Sequence, residues 1–321
     1  MMNAVADRLE RHQVVLYLVA IVVGLLVGLS APGAGPGLAR GIDPVLGALL
    51  YVTFLQVPAS ALLRAVRDVR FLGSVVLVNF VAVPVVVAVL FLFAPADQAV
   101  QIGILLVLLC PCVDYVIVFS GLAGGDSRRL LAATPVLLLL QFLTLPVFLF
   151  VFLGSDLADV VDVQPFISAF VKLIVIPLAL AWLTQWWSSR HRSGEQFSGV
   201  VSVAMVPLMM AVLGLVVASQ VPAIDDGFGS VFRVVPIYVV FLVVMPIVGL
   251  LVGRLFALDV PARRSVVFSG ATRNSLVVLP LALALPAGFE LAAAVVVTQT
   301  LVEVIGMVIY VRVVPMLVPA R

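Results

Sequence analysis

The chain has 321 residues, 64% of them hydrophobic and 11% charged, with a net charge of +2 and a mean hydropathy of +1.30. A globular domain carries roughly 45–50% apolar and about 25% charged residues, so this composition specifies a polytopic membrane protein. It argues against a nucleic-acid binder, which needs a dense basic face. The only two cysteines stand at either end of one Cys-Pro-Cys, which excludes a disulfide framework.

A bilayer core about 30 Å thick takes about 20 apolar residues per helix. That ruler predicts ten spans in chain order, near residues 14–31, 43–61, 71–94, 100–122, 130–153, 165–187, 198–219, 232–256, 264–286 and 289–314. The first is followed by Ala31-Pro32-Gly33-Ala34, which faintly resembles a signal-peptide cleavage site. The mixed acids and bases before it fit an uncleaved first span.

Arginine and lysine gather in cytoplasmic loops. With the N-terminus inside, Arg8, Arg11, Arg64, Arg67, Arg70, Arg128, Arg129, Arg190, Arg192, Arg254, Arg263, Arg264, Arg312 and Arg321 are cytoplasmic, and only Arg40 and Arg233 lie outside. The outer loops carry acids instead: Asp97, Asp156, Asp159, Asp162, Asp225, Asp226 and Glu290. The asymmetry predicts an even number of spans in a plasma membrane, with both termini cytoplasmic.

Gln-Val-Pro-Ala occurs at Gln56–Ala59 and again at Gln220–Ala223, an offset of 164 residues. The same offset carries Cys110-Pro-Cys-Val-Asp114 to the neighbourhood of Gly270-Ala-Thr-Arg-Asn-Ser275, another polar break in an apolar run. The expected architecture is a single transmembrane domain over 1–321, with repeat one at about 14–153 and repeat two at about 165–315. Five spans per repeat make the copies inverted. Inverted repeats with interrupted helices at matching places point to a secondary transporter with its site near the midplane. No phosphate-binding loop of the Walker type is present, and neither a cofactor nor an enzymatic activity is expected.

Charges inside spans are costly and are functional hypotheses by default. Asp114, Lys172, Arg273 and Glu303 qualify. Asp114 and Arg273 sit in the two interrupted segments and are expected to pair or to share one polar cavity, either as a structural ion pair or as part of a binding site. Glu303 stands deep in the last span, a turn below Thr298, Gln299 and Thr300, as a candidate proton carrier or a hydrogen-bonded structural acid. Lys172 is placed to snorkel to an interface. Pro111 removes a backbone donor and disfavours the helical conformation of Cys110, so it breaks the fourth span. Gly270 is the corresponding helix-break candidate of the ninth, with Thr272, Asn274 and Ser275 as polar lining. Cys110 and Cys112 are soft groups that suit thiophilic partners, although a buried cysteine is also a common packing residue.

At these residues the sequence resembles the bile acid/arsenite/riboflavin transporter superfamily. Cys110 to Phe119, CPCVDYVIVF, is similar to the Ala-Arg-Cys-Thr-Ala-Met-Val-Phe-Val-Trp motif of the arsenite efflux permeases, and Leu301 to Gly306, LVEVIG, is similar to their Leu-Val-Glu-Val-Pro. The resemblance implies an all-α fold of ten transmembrane helices in two inverted five-helix repeats. Helices four and nine would be broken and crossing, within a panel and a core domain. It implies proton-coupled efflux of arsenite or antimonite, with Cys112 binding the metalloid and Glu303 coupling protonation to release. Pro111 replaces an arginine of that family, Leu276 replaces an acid, and Asp114 and Arg273 are not its usual residues. Against the sodium-binding Glu-Thr-Gly-x-Gln-Asn of the bile acid symporters, this chain has Ser269-Gly-Ala-Thr-Arg-Asn274. Arg273 would repel sodium, which favours protons.

The leading expectation is therefore a proton-coupled exporter of arsenite or a related small solute, with Cys112, Asp114, Arg273, Asn274 and Ser275 in contact with substrate. A carrier of organic anions coupled to sodium or protons, with Arg273 as counter-charge, is the alternative. A membrane thiol oxidoreductase is the reading from another class, and it lacks the second cysteine pair that electron relay requires.

Overall fold

The computed structural model describes residues 2–55, 68–113, 115–154, 168, 171–220, 229, 232–283, 285–286 and 288–319. Both Gln-Val-Pro-Ala copies lie outside these residues except for the backbone of Gln220, and Asp114 lies outside them as well. The described residues are helical, and the only bridge pair among them outside helices joins Pro111 to Arg273. The chain divides into two compact units, residues 1–59 with 163–226 and residues 60–162 with 227–321, so each unit draws on both halves of the sequence.

The first unit contains α1 (Met2–Ser30), α2 (Gly35–Ala39), α3 (Ile42–Leu55), α8 (Ile176–Ser188), α9 (Arg192–Ser202) and α10 (Met205–Gln220). Within it α10 packs on α1, α2 and α3, and α8 packs on α3 and α9. Tyr51 and Thr184 share a 2.8 Å hydroxyl–hydroxyl bond, and Gln185 Nε2 donates to the carbonyls of Phe54 and Leu55. Those carbonyls belong to the last described turn of α3. Lys172 is exposed on a π turn, Val171–Val175, that leads into α8.

The second unit holds α4 (Val69–Phe91), α5 (Gln98–Leu108), α6 (Tyr115–Leu122), α7 (Ser127–Leu153), α11 (Val235–Leu255), α12 (Val260–Ala271), α13 (Ser275–Leu283) and α14 (Glu290–Leu317). Four of these start at an aspartate whose carboxylate accepts a backbone N–H of the first turn: Asp68 from Phe71, Asp97 from Val100, Asp126 from Arg129 and Asp259 from Ala262. Such caps satisfy donors that a helix start leaves open. Three of them, Asp68, Asp126 and Asp259, are drawn together by Arg129 at 3.1, 3.4 and 3.2 Å. The N-termini of α4, α7 and α12 therefore lie at one end of the unit. These side chains are 28–56% exposed, which limits each pair to a fraction of a kcal/mol. Replacing Arg129 by alanine is expected to cost about 1 kcal/mol in total, read as a small salt-sensitive drop in thermal midpoint.

Apolar side chains left exposed on this unit follow helical stripes. On α11 they are Val239, Val243, Ile247, Leu251 and Leu255, opposite a buried face of Tyr238, Phe241, Leu242 and Met245. A stripe at intervals of four is one side of a helix, and an exposed apolar side suits a bilayer. By contrast, 72% of the apolar window of α14 is buried, against 28–44% for α4, α7 and α11. The helix that carries Glu303 is wrapped by α5, α6, α11, α12 and α13. Its contact with α5 depends on Gly103, where a Cβ would come within 2.8 Å of the Ala292 carbonyl oxygen.

Four single helices are long and apolar enough to cross a bilayer, and six if two bent pairs are counted as spans: Val15–Ser30 with Pro32–Ala39, and Arg192–Ser202 with Met205–Ser219. The remaining expected spans are short or interrupted among the described residues. The chain is a multi-pass membrane protein, and the ten-span count remains an expectation from its hydropathy and charge pattern.

Candidate functional site

The fourth expected span is helical to Leu108 and resumes at Tyr115; the ninth is helical to Ala271 and resumes at Ser275. Between the ends, the two unwound segments bond to each other. The Cys112 N–H donates to the Thr272 carbonyl at 3.1 Å, and the Asn274 N–H donates to the Cys110 carbonyl at 2.8 Å, on either side of the Pro111–Arg273 pair. The pairing has a local cause. Pro111 has no N–H to give, and lipid offers none, so carbonyls and N–H groups freed by the breaks must find protein partners. Gly270 lies within α12, before the break, and a Cβ there would come within 2.8 Å of Val78. Its visible contribution is space for α4 to approach rather than the break itself, which falls at Thr272–Asn274.

Arg273 is fully buried. Its side chain turns back on its own helix: Nη2 donates to the carbonyls of Ser269 and Gly270 at 2.8 Å each and to Asn79 Oδ1 at 2.7 Å. Nη1 donates to the Leu108 carbonyl at 3.2 Å, and the guanidinium carbon stands 5.5 Å from the centre of the Phe241 ring. Each of these carbonyls has lost its helical donor. Leu108 would have been met by the Cys112 N–H, Ser269 by that of Arg273 and Gly270 by that of Asn274, all of which are engaged elsewhere. The guanidinium thus caps two helix C-termini, whose dipoles favour a cation.

Glu303 is fully buried on α14. Three donors reach its carboxylate: Tyr115 Oη at 2.5 Å, the Arg273 backbone N–H at 2.8 Å, and Gln299 Nε2 one turn earlier on the same helix. Tyr115 Oη also approaches the Arg273 carbonyl at 3.3 Å. One carboxylate therefore ties α14 to the first residue of α6 and to the unwound segment before α13. Among the described residues, no carboxylate lies within 4.0 Å of the Arg273 guanidinium. The expected Asp114–Arg273 pairing falls on a residue outside those described.

Asn274 and Ser275 are buried, as are Cys110 and Cys112, both present as thiols. Asn274 Oδ1 accepts the Val277 N–H and so caps α13, while its Nδ2 has no hydrogen-bond partner among the described residues; neither has Gln299 Oε1 or Arg273 Nε. Buried polar atoms are nearly always satisfied, so unpaired ones in a native site call for water or a ligand. Among the described residues, no group of three His, Cys, Asp or Glu side chains could hold a metal ion. Lys172 belongs to the first unit.

Asn79 is not among the residues expected at the site from the sequence, where Gln299 appears only as a polar neighbour of Glu303 and Tyr115 only within CPCVDYVIVF. Asn79 sits in a π turn of α4, Val78–Ala82, two residues ahead of Pro84, and the turn into α8 stands in the same relation to Pro177. A proline inside a helix removes a donor and crowds the carbonyl one turn earlier, and a π turn accommodates it. A lone asparagine five residues before a proline in an apolar run is the sequence signal that marks this position.

Two apolar helical segments are thus broken and bonded to each other at their breaks. The family model of SBF, the Sodium Bile acid symporter family, matches residues 43–226, more than half of the chain, and the chain belongs to that family. No curated protein matches it. Members of the family are transporters. The match ends before α11, so the segment bearing Arg273 and Glu303 lies beyond it.

Proposed function

We propose that the chain is a secondary active transporter of the plasma membrane, with both termini cytoplasmic. It would exchange protons for a small solute at the paired breaks by alternating access. The observation that carries the reading is the convergence of Tyr115, the Arg273 N–H and Gln299 on Glu303. A carboxylate accepts from all three. Once protonated it must place a hydrogen on one oxygen, and at least one of the three donors has to move or reverse. Proton exchange at Glu303 would thereby loosen or tighten both broken helices together.

Trivalent arsenic or antimony is the solute class we assign, on the strength of Cys112, a soft ligand held beside the break by its own backbone bond to Thr272. Asn274 Nδ2 and Gln299 Oε1 supply one donor and one acceptor for the rest of the solute. Arsenite efflux from everted membrane vesicles is the test. Wild type is expected to respond to an imposed proton gradient and Cys112→Ser to lose at least about 90% of the flux. A wild type that moves no arsenite, or a Cys112→Ser variant equal to it, ends the metalloid reading.

The family's name and the two helix N-termini that open at the breaks, α6 and α13, support a second reading, an organic anion of the bile acid type. N-termini favour anions. Against it, the Arg273 guanidinium already serves four protein oxygens. Bile acid flux in the same vesicles, with arsenite as competitor, separates the two.

A further inference from the structure

A family named for sodium symport implies a coupling sodium ion, and the residues at the paired breaks do not fit one. Small hard cations are held by oxygens, typically backbone carbonyls freed at broken helices and the negative ends of half-helices. Such a set exists here. It consists of the carbonyls of Leu108, Ser269 and Gly270 with Asn79 Oδ1, drawn from α5, α12 and α4, and the C-terminal ends of α5 and α12 both point at it. All four oxygens are taken by one guanidinium, at 2.7–3.2 Å. The positive charge on Arg273 is permanent, since a guanidinium does not give up its proton in proteins. A second cation among the same oxygens would meet a like charge and would have to displace it.

From this geometry we infer that Arg273 is a tethered cation. It occupies the oxygen set that would otherwise hold a monovalent ion, and it makes this transporter independent of sodium by supplying that charge covalently. Three consequences follow from the chemistry. The folded protein gains nothing from sodium, lithium or potassium. Removing the side chain while keeping the oxygens creates a site that small cations can fill. Within that site, Asn79 is the ligand whose removal matters, because it is the only one contributed by a side chain.

The inference refines the proton-coupled reading but does not share its test, because it is read on stability and needs no transported solute. Wild type, Arg273→Ala, Arg273→Lys and Arg273→Ala/Asn79→Ala proteins are purified in detergent. Their thermal unfolding is compared in choline, sodium, lithium, potassium and guanidinium chlorides at equal ionic strength, with guanidinium far below denaturing levels. Wild type and Arg273→Lys are expected to be indifferent to the choice of cation. Arg273→Ala is expected to unfold several degrees lower in choline and to recover at least about half of that loss in guanidinium or sodium, and the double variant to recover none. Selective stabilisation of wild type by sodium, or an Arg273→Ala protein that no small cation stabilises, overturns the inference. If Arg273→Ala yields no folded protein, sodium titration of wild type by calorimetry decides: heat of specific binding overturns the tethered cation, and its absence, with Arg273→Lys folded and indifferent to sodium, upholds it.

Discussion

Replacing Glu303 by glutamine is expected to abolish the response of transport to a proton gradient and to lower stability by about 2–4 kcal/mol. The reason lies in the donor count. Glutamate presents two oxygens to Tyr115 Oη, the Arg273 N–H and Gln299 Nε2. An amide presents one oxygen and an NH2 group. Keeping Tyr115 as donor sets the NH2 against both other donors, and keeping those two turns the NH2 toward Tyr115, whose hydroxyl then has to reverse and accept. A buried N–H left without an acceptor costs about 1–3 kcal/mol. Glu303→Asp keeps the charge on a shorter stem and is expected to fall between, and Tyr115→Phe, which removes one donor without adding a conflict, to lose less than either. Thermal unfolding and gradient-driven flux measure the two effects separately. A Glu303→Gln protein with wild-type flux and wild-type dependence on the gradient would remove the carboxylate from the coupling.

Asn79→Ala is expected to be the more damaging change for folding. Its amide holds three elements: Nδ2 donates to the Val75 carbonyl and to Ser269 Oγ, both at 2.9 Å, and Oδ1 receives Arg273 Nη2 at 2.7 Å. Truncation leaves a buried guanidinium short of an acceptor and opens space between α4 and α12. Losing a hydrogen bond to a buried charge costs about 1.5–3 kcal/mol, and the space left by the side chain adds to that, enough to lower the folded yield in membranes. Asn79→Asp retains the acceptor and adds a countercharge while losing the donor to Ser269. It is expected to restore most of the folded yield that alanine loses, as judged by detergent-solubilised monodisperse protein. Equal yields for the two variants would show that Asn79 packs rather than satisfies Arg273.

Much of this site could be read from the residues alone because its signals are local. Pro111 lacks a donor wherever it stands, and Arg273 and Glu303 are costly in any apolar span, so each announces itself without a fold. The partners are a different matter. Gln299 lies one turn from Glu303 on the same helix, but Asn79 is neutral and Tyr115 ordinary in a membrane helix, and neither becomes notable until packing brings it to a charge. The sequence also suggested an acidic partner for Arg273 in Asp114, which lies outside the described residues. The described acceptors are carbonyl oxygens and Asn79, and the breaks themselves release those carbonyls. From sequence the loop arginines mark only a side of the membrane, yet Arg129 collects three helix caps, and Arg264 donates to the carbonyls of Ala123, Gly124 and Val318.

Composition and spacing by themselves determined that this chain lives in a bilayer, that polar breaks fall near Pro111 and Arg273, and that Arg273 and Glu303 need shelter there, because the cost of an unsatisfied or ionised group in hydrocarbon depends on the residue and not on the fold. The tertiary structure alone decided how those groups are satisfied. Whether a buried arginine faces a carboxylate, a substrate or four neutral oxygens depends on which helix ends meet, and that is set by long-range packing of α4, α5, α12 and α14.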